Sequence, residues 1–428
     1  MKNPTVILLL TLALQLCAQT APPRDWIDPD TGHRVVQLST EPGSESLYFN
    51  LNPFTPDGKR MVITTPDGIS MINLETREVE NIVPGRVFII QVGRKTGQVY
   101  YIKIVRTNGV PNRIVCATDP TTKITREIFT LPRGMSVSAV NADETLLAGT
   151  ITYRNDWTNE FFDAGPNRLT PVESADAQRG KKGEMMERRL AAHYPMELFT
   201  YNMTNGKIKK FDRCTDWLNH LQFSPTDPTL LMFCHEGPWQ KVNRIWTIHT
   251  NGRHLTLIHK RTMAMEIAGH EFWSADGKTI WYDLQTPRGV DFWVAGYNVD
   301  TGARTQYHLQ RNEWSVHFNV SPDGKLFCGD GGDDKMVAHA PDGKWLYLFT
   351  PELLPDESGP DIDTSKLIRP GVFHSEKLVN MSRHDYALEP NLMFTPDMKW
   401  LIFRSNMSGE NQVYAVELAK AANAAPSQ

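Results

Sequence analysis

One phrase recurs along this chain and limits its fold more than any other feature. An aromatic or apolar residue is followed by Ser or Thr, then Pro or Ala, then Asp, Gly and Lys, and an alternating apolar stretch comes next. It reads Phe54-Thr55-Pro56-Asp57-Gly58-Lys59, Trp273-Ser274-Ala275-Asp276-Gly277-Lys278 and Val320-Ser321-Pro322-Asp323-Gly324-Lys325. Phe394-Thr395-Pro396-Asp397-Met398-Lys399 is a fourth copy with Met in place of Gly, and Phe223-Ser224-Pro225 is a degenerate fifth. Asp-Gly between two strand patterns is a hairpin signal, because the turn needs a positive φ that glycine adopts without a Cβ clash. Second hairpins follow at Tyr201–Lys207, Ile248–Arg253 and Tyr297–Arg304. About four antiparallel strands per 35–50 residues is the sequence form of a propeller blade. The reading is therefore an all-β, seven-bladed β-propeller with four-stranded antiparallel blades. The units are placed at 46–82, 86–132, 135–213, 217–260, 266–310, 313–380 and 387–420. The last has only three good strands, and His33–Leu38 is expected to add the missing one and close the ring.

The 428 residues thus form one toroidal domain, 33–420, after a linker at 19–32 and before a tail at 421–428. Residues 1–18 read as a secretory signal peptide: Lys2, an apolar run Val6–Leu14, and a small residue at Ala18 after which cleavage is expected. That run is too short for a membrane span. Lipid attachment at Cys17 is disfavoured by the large Leu16 before it. The chain is expected outside the cytoplasm. A formal net charge of −4 excludes the basic excess of a dedicated nucleic-acid binder. Cys116, Cys214, Cys234 and Cys328 follow no zinc-motif spacing and read as buried thiols with room for one bridge. Gly183–His193 has a helical period and reads as a helix inserted in the third blade, while 355–370 reads as a long loop in the sixth.

The turn phrase also serves as a ruler. Three residues before its apolar landmark stand His220, His270, His317 and Asn391, in four successive units. Thirteen histidines in 428 residues make three at one chosen position improbable by chance, whereas any one alone is more often a satisfied core histidine. Glu389 lies two residues before Asn391 and by alternation on the same side. Imidazole, carboxylate and amide together suit a borderline-to-hard divalent metal. His235 and Arg244 flank a Gly-Pro turn that could aim them at the same mouth. Gly329-Asp330-Gly331-Gly332-Asp333 lacks the ending of a phosphate loop and reads as a tight turn, and no Gly-x-Ser-x-Gly elbow exists.

The runs Phe233–Trp239 (FCHEGPW), Val242–Ile248 (VNRIWTI), Gly269–Trp273 (GHEFW), Ser315–Asp330 and Leu388–Asn406 resemble the oligogalacturonate lyases, seven-bladed propellers acting on pectin fragments. The resemblance covers most of residues 30–420. It implies β-elimination with a manganese ion and a histidine base. His270 then falls on the base, Arg244 on the family's arginine and His317 on a metal ligand, with His220 and His235 left as substrate contacts. The family's Gln-x-x-His-x-His reads here as Tyr386-x-x-Glu389-x-Asn391, so the metal set becomes His317, Glu389 and Asn391. This departure leaves open a harder ion such as Ca²⁺ in place of Mn²⁺, or no ion. The expected partner is a uronate oligosaccharide. Two other readings remain at this stage: a propeller lyase for another uronate glycan, and a non-enzymatic TolB-like binding propeller.

Overall fold

The computed structural model describes residues 24–108, 110–154, 175–333, 340–359 and 362–421, with side chains in the one long helix from Lys182 onward. The expected signal peptide and Cys17 lie outside the described residues. What is described is an all-β propeller. Its turns follow directly from the repeated phrase. In each full copy the Ser or Thr hydroxyl donates to the Asp carboxylate, as Ser274 Oγ does to Asp276 Oδ1 at 2.6 Å and Ser321 Oγ to Asp323 Oδ1 at 2.6 Å. The same carboxylate oxygen accepts the backbone N–H of the Lys two residues on. Gly277 then turns the chain at φ +69°, and in the fourth copy Met398 holds the same left-handed conformation at φ +55°.

The strands form six hydrogen-bonded sheets. The first has three strands, Arg60–Thr65, Gly68–Asn73 and Val79–Pro84, and the segment before it makes only isolated bridges, Glu45 to Thr64 and Phe54 to Met61. The second runs from Val87–Val92 to Thr125–Leu131, the third from Met135–Val140 to Ile208–Cys214, and the fourth from Trp217–Phe223 to Thr256–Leu257. Each of these three has four antiparallel strands.

The fifth sheet has eight strands. In spatial order they are Ile267–Trp273, Thr279–Gln285, Phe292–Asn298, Arg304–His308, Ile368–Asn380, Trp345–Leu353, Phe327–Gly329 and Phe318–Val320. It consists of two antiparallel halves joined where Arg304–His308 runs parallel to Ile368–Val372. Two expected units are thus one continuous sheet. Residues 368–370, expected at the end of a loop, belong to its longest strand because that parallel pairing captures them.

The last sheet closes the ring. His33–Gln37 pairs antiparallel with Gln412–Lys420, as the sequence suggested. Asp25–Ile27 adds a further edge strand against His33–Gln37, so the expected linker contains structure. The helix spans Ala175–Ala192 between the second and third strands of the third sheet, starting earlier than expected because Ala, Gln, Arg and Lys continue its N-terminal side. It docks on the fourth sheet, where Arg189 lies 3.9 Å over the Trp217 ring and Lys241 Nζ reaches Glu187 at 2.9 Å.

Cores lie between neighbouring sheets. Leu198, Phe211, Leu218, Leu231 and Phe233 interleave between the third and fourth, each fully or almost fully buried. Side chains of this kind stabilise by roughly 1.5–3 kcal/mol each. A central cavity takes lining residues from the second to the sixth sheets and from the segment before the first, among them Asn52, Gln91, Val140, Gln222, Phe272 and Phe394. All four cysteines in the described residues are free.

Candidate functional site

The ruler positions have a shared backbone cause. At His220 and His270 the inner strand bulges: two residues, His220-Leu221 and His270-Glu271, oppose one residue on the neighbouring strand. His220, His270 and Asn391 all take positive φ, +49°, +46° and +54°. Bulges re-aim side chains, and a histidine or asparagine accepts the left-handed conformation better than most residues. His317 is held differently. It just precedes its strand, and its backbone N–H donates to Asp330 Oδ1 at 2.8 Å.

The bulge at His270 and the Asp330 anchor at His317 bring the two rings together, with centroids 4.5 Å apart. Phe49, which also lines the central cavity, packs against both. Trp239 stands edge-on to His270 at 4.9 Å, and this needs glycine at 269, where a Cβ would sit 2.8 Å from the Trp239 ring. His270 Nδ1 lies 3.5 Å from Asp283 Oδ1, and neither buried atom makes a hydrogen bond. His317 Nδ1 is fixed on Asp330 Oδ2 at 2.7 Å. Its Nε2 is thereby directed to Tyr48 Oη at 3.3 Å and Glu389 Oε2 at 3.7 Å. Burial works against charge on His317, but Asp330 and Glu389 outweigh it and raise the imidazole above its ordinary value. Burial likewise opposes charge on Glu389, and His317 and His270 overcome it and hold the carboxyl low.

Arg244 lies beside this pair in a nearly closed setting, 4% exposed. Its Nε donates to Glu271 Oε2 at 3.0 Å, its Nη1 donates to Glu236 Oε1, and its Cζ stands 5.0 Å over Trp239. His220 Nε2 is 3.0 Å from the other oxygen of Glu236. Burial would raise the Glu236 carboxyl, but Arg244 and His220 hold it well below its ordinary value. The result is a chain of alternating charge, His220 to Glu236 to Arg244 to Glu271, which ends at Cys234 Sγ on Glu271 Oε1.

The sequence profile described as oligogalacturonate lyase matches residues 193–422, more than half of the chain. This chain belongs to the oligogalacturonate lyase family. An oligogalacturonide lyase of Pectobacterium atrosepticum is 22% identical over 418 residues, covering 91% of this chain and 95% of that protein. An oligogalacturonate lyase of Dickeya dadantii is 21% identical over 422 residues, with the same coverage. Among solved structures, an oligogalacturonate lyase in complex with manganese matches with a TM-score of 0.71 at 20% identity, over 94% of this chain and 97% of that one. The oligogalacturonate lyase of Vibrio parahaemolyticus matches with the same score and identity, covering 98% of that chain.

Within this oligogalacturonate lyase family chain, the expected metal set is only partly assembled. His317 Nε2 and Glu389 Oε2 face each other, and a carboxylate behind an imidazole, as Asp330 stands behind His317, is the usual support of a metal-binding histidine. That donor pair suits a divalent cation. Asn391 does not join it. Its Oδ1 accepts the Phe49 N–H at 3.2 Å and its Nδ2 donates to the Glu389 carbonyl at 3.0 Å, because the left-handed backbone turns the amide toward the main chain. Tyr386 Oη likewise donates to the Asp330 carbonyl.

His235 is not at this site either. It neighbours Glu236 on one strand, so alternation sends it to the other face. There it stacks on Trp246 at 4.9 Å and meets Asp216 Oδ2 through Nδ1 at 3.2 Å. Four carboxylates at the site went unassigned in the sequence: Glu236, Glu271, Asp283 and Asp330. Asp283 had a readable signal as a charge inside the apolar run Ile280–Leu284. Asp330, read as part of a tight turn, is fully buried and anchors His317.

Proposed function

We propose that this chain is a lyase that cleaves oligogalacturonides by β-elimination, with His270 as the base. The observation that carries the reading is the setting of the His270 ring, packed on His317 and Trp239 with Nδ1 facing Asp283. The C5 proton of a uronate sits next to a carboxylate, so its removal builds a second negative charge. The Asp283 carboxylate, 3.5 Å from Nδ1, favours the His270 proton on that side, leaving Nε2 to accept the C5 proton. Trp239 holds the ring upright and also packs on the guanidinium of Arg244, a cation available to stabilise the developing charge. His220, one-third exposed, is placed to hydrogen-bond the sugar. The C4–O4 bond then breaks, the proton taken from C5 is given up from His270 to the leaving O4 directly or through solvent, and a 4,5-unsaturated uronate forms with no net water consumed.

His317 and Glu389 would hold a divalent cation, manganese before calcium. When bound, it would supply Lewis-acid neutralisation of the substrate carboxylate. Counting the eight-stranded sheet as two blades gives a seven-bladed ring. Export rests on the pattern of residues 1–18, and the mass of the mature N-terminus in cell fractions checks it.

The test follows the ultraviolet absorbance of the unsaturated product. Oligogalacturonides should give it, chelation should abolish it, and added Mn²⁺ or Ca²⁺ should restore it. Product from a different uronate oligosaccharide alone would move the substrate. No product from any of them would remove the lyase reading. Full activity after metal stripping would leave charge neutralisation to Arg244.

A further inference from the structure

We propose that Cys214, Asp216 and His235 form a second divalent-metal site, zinc-like in its donors, at the junction of the third and fourth sheets. One donor atom from each lies within 4.8 Å of the other two, and no other trio of His, Cys, Asp or Glu among the described residues meets that spacing. Cys214 ends the last strand of the third sheet, Asp216 sits in the connection that follows, and His235 lies on the second strand of the fourth. His235 Nε2 is buried with no hydrogen-bond partner. Two residues before Cys214, Asp212 also has a buried oxygen, Oδ2, without a partner. Asp212 and His235 feel each other's charge, and a folded protein rarely leaves two such buried atoms unless something else satisfies them.

The donor chemistry is specific. Thiolate, imidazole and carboxylate are the ligands of tetrahedral zinc, whereas the channel pair His317 and Glu389 offers no sulfur. Ligands bound at ~2.0–2.3 Å from a shared ion stand about 3.5 Å apart; His235 Nδ1 and Asp216 Oδ2 are already 3.2 Å apart, so the adjustment falls on the Cys214 thiol. The Cys214–Asp216 connection can supply that movement, since the Asp216 side chain is 43% exposed and gives an ion its way in. Asp212 or a water takes the fourth position. Burial pushes the Cys214 thiol up to about 11, so it keeps its proton until the ion arrives. Binding forms the metal–sulfur bond and releases that proton to solvent, one per ion. The other charged groups around the site are Asp212 and His193, the latter just beyond the helix.

Such an ion ties two sheets together and pins the strand on which Glu236 follows His235. Cobalt is the probe, because thiolate ligation gives it a near-ultraviolet charge-transfer band that a nitrogen–oxygen site lacks. Titrating the metal-stripped full chain with Co²⁺ should develop this band to one equivalent, displaced by Zn²⁺. Cys214→Ser should abolish it, and His235→Gln should weaken cobalt binding at least about ten-fold. Circular dichroism would verify that both variants remain folded. Absence of the band in the unmodified chain, or its persistence in Cys214→Ser, overturns the site.

Discussion

Arg244 and His270 stand close together yet answer to different physics. Arg244 is buried between two buried carboxylates, so Arg244→Ala leaves Glu236 with only His220 and Glu271 with only the Cys234 thiol. Breaking a buried pair this way costs about 3–5 kcal/mol, and denaturant unfolding should show that loss along with the loss of activity. His270→Ala removes the proton acceptor alone. Turnover should fall by about 10²–10⁴ with KM little changed, as steady-state kinetics would show. The two carboxylates also set an acid limit. Glu236 and Glu271 are held below their ordinary value near 4.5, burial being overcome by Arg244. Their contribution to stability is therefore complete above about pH 4.5 and is lost as pH falls through the lower folded values. Calorimetry across that window should show a falling melting temperature, with a shallower fall in Glu271→Gln. His270, His317 and Arg244 were legible because turn spacing and short motifs mark them. Glu236 and Asp330 were not, because their partners are set by cross-strand register, which spacing along the chain does not encode.

At the level of strands and turns, the repeated phrase marked the hairpins it spells out, because its hydroxyl–carboxylate pair fixes the turn locally. It could not reveal the bulges, which exist only when a second strand provides the register. It also gave no warning that the segment before the first sheet makes isolated bridges in place of an inner strand. Met398 tests the turn itself. It is the one full copy without glycine, held at φ +55° and 37% exposed. Met398→Gly relieves left-handed strain worth ~1–2 kcal/mol and forfeits part of it to unfolded-state entropy. A net gain of about 0.5–1 kcal/mol is expected in equilibrium denaturation.

Across the whole molecule, closure depends on the N-terminal strands. Val35 and Val36 are fully buried between the last sheet and its neighbours, and Thr31 Oγ1 donates to the Leu378 carbonyl at 2.8 Å. Deleting residues 24–37 removes both valines from these cores and leaves the edge of Gln412–Lys420 unpaired. At ~1.5–3 kcal/mol for each buried valine, the loss should exceed about 3 kcal/mol in denaturant midpoint terms. The ring was legible because its period is, while the fusion of two units was not, because it rests on a parallel pairing between segments about sixty residues apart. That fusion has a mechanical consequence. The strand carrying His270 and the strand just after His317 are the two free edges of the eight-stranded sheet. The sheet is a leaf creased at the rim, along Arg304–His308 and Ile368–Val372, with its two edges brought face to face at the hub. The gap between the two imidazoles is thus the opening of a caliper whose pivot is on the outside of the protein, where no substrate reaches.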